Sequence, residues 1–172
     1  MTSSTRLAAS FGGRAFCHAP ADEPFDLDAL ARPADDADRW SVPGTLTAYL
    51  ASTSAVAAAE WARHAGDGPD RRAIVALVLR PIDVLDLRRS LPSEPDRPAD
   101  PDAFLDRERT RRAAADARRQ GVRGILVPSV AFPDRVEDAF NIVLFCERLA
   151  GGIGAALTEP RPVGRIEVGP LD

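Results

Sequence analysis

Apolar stretches with two different periods alternate along the chain with segments dense in Pro, Asp and Ala. Arg14 to Ala19 (RAFCHA) reads as an opening strand, with Arg14, Phe16 and His18 on one side and Ala15, Cys17 and Ala19 on the other. Pro20 stops it, and the small, polar residues 1–12 ahead of it are expected to fray as a flexible N-terminus. Thr45 to Ala51 alternates in the same way after a Pro43-Gly44 turn, with Thr45, Thr47 and Tyr49 opposite Leu46, Ala48 and Leu50. Ala73 to Leu79 (AIVALVL) is apolar on both faces and reads as a central strand, followed by a shorter one over Val84 to Leu87. Gly124 to Val127 and Phe140 to Cys146 are two more buried strands. Arg161 to Val168 fits an edge strand, because its prolines cannot donate to a ladder on both sides.

The helical period shows in two places. Ser52, Thr53 and Ser54 offer an N-cap for an alanine-rich helix over about 54–65, closed by Gly66 to Pro69. On that helix Ala57, Glu60, Trp61 and His64 share a face by their i, i+3, i+4, i+7 spacing. Asp102 to Gln120 is the second helix, ended by Gly121; its arginines at 107, 109, 111, 112, 118 and 119 are interleaved with acids, which describes a solvated, ion-paired helix. Residues 21–38 form a loop with one helical turn over Leu27 to Leu30, long enough to cover a ligand or merely to connect; Ser90 to Asp102 is a second loop and a poor place for core. The sum is one α+β domain of 172 residues built on a mixed β-sheet with flanking helices.

Composition narrows the function classes. The chain is 45% hydrophobic and 28% charged, as in globular proteins, and no apolar run reaches the length of a membrane span, so a cytoplasmic protein without membrane contact is expected. All 22 basic residues are arginine against 26 acids, a net charge of -4, which argues against direct nucleic-acid binding. Cys17 and Cys146 are far apart and lack zinc-type spacing, so two reduced thiols and no metal are expected. GGIG at 151–154 matches no phosphate-binding loop and reads as a helix C-cap and connector.

Candidate chemistry gathers in Arg39 to Glu60. Arg39 leaves a tight turn-flanked loop, suited to bidentate phosphate capture or to pairing with Asp36 or Asp38; Trp40 beside it reads as core. Tyr49 on its strand and Glu60 on the next helix converge if the helix packs back across the strand; otherwise Glu60 pairs with Arg63 or Arg71. Ser129 follows a strand and a proline, an exposed strand-end position that presents a hydroxyl, without the GxSxG elbow of a hydrolase nucleophile. Asn141 fits a satisfied strand-end amide.

The blocks RWSVPGTLTAYLAS, AAAEWARH, VPSVAF and NIVLF, in this order and spacing from about residue 14 to about residue 146, resemble the RES-domain family. The resemblance implies a fold related to ADP-ribosyltransferases over residues 13–172 and an NAD-consuming enzyme. Members studied are toxins of bacterial type II toxin–antitoxin pairs, held inactive by an Xre-like antitoxin encoded nearby. It implies NAD as substrate, cleaved at the nicotinamide–ribose bond by a glycohydrolase or phosphorylase. The alternatives are a mono-ADP-ribosyltransferase acting on a protein, or a weakened RES-like protein that only binds NAD and antitoxin. For each of these readings the resemblance allows a homo-oligomer or a hetero-oligomer with that antitoxin. The family's arginine falls on Arg39, its tyrosine on Tyr49 and its glutamate on Glu60, the implied catalytic set; its serine falls on Ser129 and its asparagine on Asn141, which with His18 are the implied substrate-binding residues. Three positions depart from the family pattern: Asp38 replaces a glycine, Ser41 an asparagine, and His18 the arginine of the opening strand. Arg14 points to the same side as His18 but lies about 13 Å along the strand. A histidine holds NAD at the corresponding strand of a related branch of the fold.

Overall fold

The computed structural model describes residues 8–64, 70–92 and 101–168. Residues 1–7, the Gly66–Pro69 helix stop and positions 93–100 of the second loop lie outside them. Seven strands form one mixed sheet: β1 (Ala9–Pro20), β2 (Arg32–Pro33), β3 (Leu46–Ala51), β4 (Asp70–Asp86), β5 (Gly124–Pro128), β6 (Phe140–Phe145) and β7 (Leu157–Val168). Among the described residues three helices accompany them: α1 (Ser54–His64), α2 (Arg107–Arg119) and the short α3 (Ile153–Ala156). The fold is the α+β domain expected from the pattern.

The strand order is β1-β3-β6-β5-β4-β7, with β2 beside β3, and β1 also pairs along most of β4. The pairings therefore close into a ring through β1, β3, β6, β5 and β4, with β7 outside as an edge strand on β4. Among the described residues only the contact between β4 and β5, at Val84–Asp86 with Gly124–Leu126, is parallel. Closure leaves β6 and β5 buried on both faces, and their side chains alternate between two cores. Leu126, Ile142 and Leu144 pack with Leu50, Val75, Leu77 and Leu79, whereas Ile125, Val127, Val143 and Phe145 pack against Ala113, Ala114 and Ala117 of α2. A third, smaller cluster seats α1 through Val56 and Ala57 on Ala51 and Ile74.

Several boundaries differ from the sequence pattern. β1 begins at Ala9, paired with Val84, so residues 9–12 are strand rather than frayed. The two predicted strands 73–79 and 84–87 are one: β4 runs through Arg80-Pro81 because both residues oppose the single Gly12, a bulge that accommodates a residue without an N–H. A Cβ on Gly12 would stand 2.9 Å from the Pro81 nitrogen, which is why glycine occupies that position. β4 is not apolar-buried on both sides throughout, since Val78 is 38% exposed. Asp106 caps α2 by accepting from Glu108 N and Arg109 N, so that helix starts at 107 and Pro101–Phe104 is a separate 3-10 turn. Leu91, within the predicted loop, is core. The residues ahead of GGIG form a 3-10 turn over Cys146–Arg148 rather than a helix for it to cap, and Gly152 precedes α3 instead of ending a helix.

Candidate active site

The hairpin between β2 and β3 carries the first candidate side chain, Arg39. Ala34 and Thr45 close its base (Ala34 N to Thr45 O, 2.8 Å), and the Pro43-Gly44 turn reverses it with Gly44 at φ 85°, the left-handed value that a type II turn requires. Inside it, the Asp38 carboxylate accepts from Arg32 Nη1 (2.8 Å), Arg32 Nη2 (2.6 Å) and the Asp35 amide (2.9 Å). The Ser41 side chain is fully buried, with Oγ 2.8 Å from Tyr49 Oη, and the Trp40 amide donates to the same phenol oxygen at 3.3 Å. Asp38 and Ser41, the two departures from the family pattern in this loop, are thus its internal fasteners. Trp40 packs on Phe104 in the α2 core.

Because Asp38 is taken by Arg32, Arg39 is left for other work. Its guanidinium is half-buried, and no described residue hydrogen-bonds or ion-pairs with it. Burial pushes its pKa down, and the nearby Arg63 and Arg107 push the same way, while Glu60 partly opposes them. A desolvated cation among other cations is an electrostatic site for an anion. Tyr49 is raised to about 12, chiefly by burial, so its phenol stays protonated.

Thr53 caps α1, its Oγ1 accepting from the Val56 amide at 3.1 Å, and this fixes the face that carries Glu60. Glu60 pairs with neither Arg63 nor Arg71; Arg71 bridges Asp22 instead. Its Oε1 accepts from Ser129 Oγ at 2.6 Å and from Asn141 Nδ2 at 3.0 Å. Both donors fall on one oxygen, leaving Oε2 to accept from something else. Ser129 is 0% exposed, so its hydroxyl is a buried brace for Glu60 rather than the exposed group expected from its strand-end position. Asn141 sits opposite Ala51 and Val127 in the β3–β6 and β5–β6 ladders, which explains how one amide reaches under α1.

A cavity of about 500 Å³ is lined by His18, Arg39, Tyr49, Glu60 and Asn141, within the range of small-ligand sites. Leu30, Arg32, Asp35 and Asp38 line it as well, so the 21–38 loop contributes to its wall. Arg14 is exposed on the other half of β1, paired with Val78, and does not reach it. Trp61 and His64 also line the cavity; the i, i+1, i+4 relation to Glu60 on α1 was the signal for both. Trp61 contacts both His18 (ring centroids 4.7 Å apart) and the Arg72 guanidinium (4.0 Å from its ring). Nothing local in the sequence marks Arg32 or Asp35 as wall residues, because they arrive through the β2–β3 pairing. Among the described residues no group of three or more His, Cys, Asp or Glu is gathered to hold a metal ion, and no helix is long and apolar enough to cross a membrane.

Comparison with known proteins agrees with this architecture. No curated protein matches the chain. Among solved structures, the crystal structure of the M. tuberculosis MbcT–MbcA toxin–antitoxin complex contains a chain of similar fold, with a TM-score of 0.61 at 14% identity, covering 96% of this chain and 88% of that one. The RES domain model matches residues 13–162, a span that includes every cavity residue named above, and the chain therefore belongs to the RES-domain family.

Proposed function

We propose that this protein is an NAD-cleaving enzyme that breaks the nicotinamide–ribose bond, and that it acts as the toxin of a toxin–antitoxin pair. The observation that carries the reading is the Glu60 carboxylate, held through one oxygen by Ser129 and Asn141 on the wall of a cavity that also presents Arg39. Nicotinamide leaves as a neutral base, so the reaction needs no general acid at that bond. What accelerates it is stabilisation of the oxocarbenium charge developing on the ribose, in a site that limits access of bulk water. Glu60 Oε2 accepts a hydrogen bond from a ribose hydroxyl and sets its negative charge beside the anomeric carbon. Arg39 holds the pyrophosphate, for which a half-buried guanidinium, one with which no described residue hydrogen-bonds or ion-pairs, is prepared. Tyr49, its phenol tied to the 40–41 backbone and Ser41, offers a ring wall to the nicotinamide riboside end, and His18 flanks it. Ser129 and Asn141 act on substrate through Glu60. The partner that restrains the toxin is a small protein antitoxin of Xre-like type, by analogy with the family.

The test is release of free nicotinamide from NAD by the purified protein, beside Glu60→Gln and Arg39→Ala. Glu60→Gln is expected to lose at least about a hundredfold in kcat with KM little changed, and Arg39→Ala to lose chiefly through KM. Unaltered turnover by Glu60→Gln would remove the role given to that carboxylate.

A further inference from the structure

Arg39 stands on a loop, yet the backbone beneath it is held from a distant helix. Thr110 Oγ1 donates to the Arg39 carbonyl at 2.8 Å. The next residue on α2, Arg111, donates from Nε to the Asp38 carbonyl at 3.2 Å and from Nη2 to the Asp36 carbonyl at 2.8 Å, with the Asp35 carbonyl at 3.5 Å. These contacts span 71 to 76 positions in sequence, so they are purely tertiary. The Thr110 side chain is fully buried, and its single hydroxyl hydrogen also has the Asp106 and Arg107 carbonyls of its own helix within reach, at 3.0 and 3.2 Å. The Arg39 oxygen is the nearest of the three acceptors. Arg111 turns a planar fork of N–H donors on the carbonyls of Asp35, Asp36 and Asp38 in one loop, a use for which lysine is poorly shaped. Neither residue lines the cavity.

We propose that Thr110 and Arg111 are positioning residues that fix the 35–39 backbone and thereby aim the Arg39 guanidinium into the cavity, so that α2 sets the affinity of the site for the pyrophosphate of its substrate. This rests on the pyrophosphate role given to Arg39 above. Contacts that served only to pack helix on loop would affect stability and leave the response to substrate unchanged; contacts that aim Arg39 change substrate affinity through that one side chain.

The experiment compares Arg111→Ala, Arg111→Lys and Thr110→Val, each also combined with Arg39→Ala. Two readouts are used: hydrogen exchange of the amides at 35–41, and KM and kcat for NAD. Arg111 is only partly buried, so its alanine variant keeps the test open if Thr110→Val folds poorly. The expected result is faster exchange across 35–41 in Arg111→Ala, with KM raised about tenfold and kcat within about twofold of the parent. Arg111→Lys should recover part of the KM, and in the Arg39→Ala background removing Arg111 should change KM little. Unchanged exchange at 35–41, or the same KM increase with and without Arg39, would overturn the proposal. If the parent protein releases no nicotinamide, the NAD assignment fails on its own. The positioning role is then read from calorimetric titration with inorganic pyrophosphate, where equal affinity of the parent and Arg111→Ala would overturn it.

Discussion

At the scale of single residues, burial governs the titrating groups. The thiols of Cys17 and Cys146 are pushed from 9.0 to about 12 and about 11, and the Tyr49 phenol from 10.0 to about 12, in each case chiefly by burial. A raised folded pKa means that the folded chain keeps a proton which the unfolded chain has already lost. The stability these groups contribute is therefore complete below about pH 9 and declines as pH rises toward the folded values. The urea midpoint is expected to hold between pH 7 and 8.5, to fall progressively above about pH 9, and to fall less in a Cys17→Ala, Cys146→Ala variant. Below pH 9 the native thiols should resist a disulfide reagent that labels both once the chain is unfolded. Among the arginines, the expectation of a solvated helix holds for Arg112, paired with Glu108, and for Arg119, paired with Asp116. It fails for Arg118, buried across the Phe145 ring and bonded to Glu147 and Thr47, and for Arg111 on the loop carbonyls. Charge spacing along a helix tells which residues can pair within it; it does not tell which face the rest of the molecule covers.

At the scale of elements, the site depends on how closely β5 approaches β6, since these strands deliver Ser129 and Asn141 to Glu60. Gly124 opens β5 opposite Leu144, and a Cβ there would lie 2.7 Å from the Val143 carbonyl oxygen. Gly124→Ala must push the two strands apart, which is expected to lower stability by about 1–3 kcal/mol in urea titration. It should also lower NAD turnover more than Gly44→Ala, which has open space around its Cβ and strains only the backbone of a surface turn. Elements themselves were largely legible in the sequence: β3, α1, β5 and β6 appear where period and capping signals put them. The fused β4 was not, because a proline between two apolar runs is locally indistinguishable from a chain break. Only the facing glycine of β1 reveals it as a bulge.

At the scale of the whole molecule, ring closure brings β1, β3, β6 and α1 around one cavity, so that a ligand held there is coupled to global stability. Saturation of Glu60→Gln, which is expected to bind NAD without consuming it, should therefore raise Tm. At a hundred times Kd the stabilisation is about 2.7 kcal/mol, or about 5–10 °C for a domain of this size. A calorimetric scan with and without NAD checks it, with nicotinamide alone as the control. No rise in Tm at concentrations that support turnover by the parent protein would separate the cavity from the substrate.

The amino-acid sequence by itself determined the local units of this protein: which runs are strands, where α1 is capped, and that Glu60, Trp61 and His64 share one helical face. These follow from periods of two and 3.6 and from the chemistry of turns, which act over a few neighbouring residues. It also supplied the identity and order of Arg39, Tyr49, Glu60, Ser129 and Asn141. Only the tertiary structure decided their relations: that Asp38 occupies Arg32 and leaves Arg39 without a described counter-ion, that Ser129 is a buried brace rather than an exposed hydroxyl, and that α2 grips the loop carrying Arg39. Each of these is a hydrogen bond or its absence between groups brought together by strand pairing and side-chain burial, and neither leaves a local pattern in the chain.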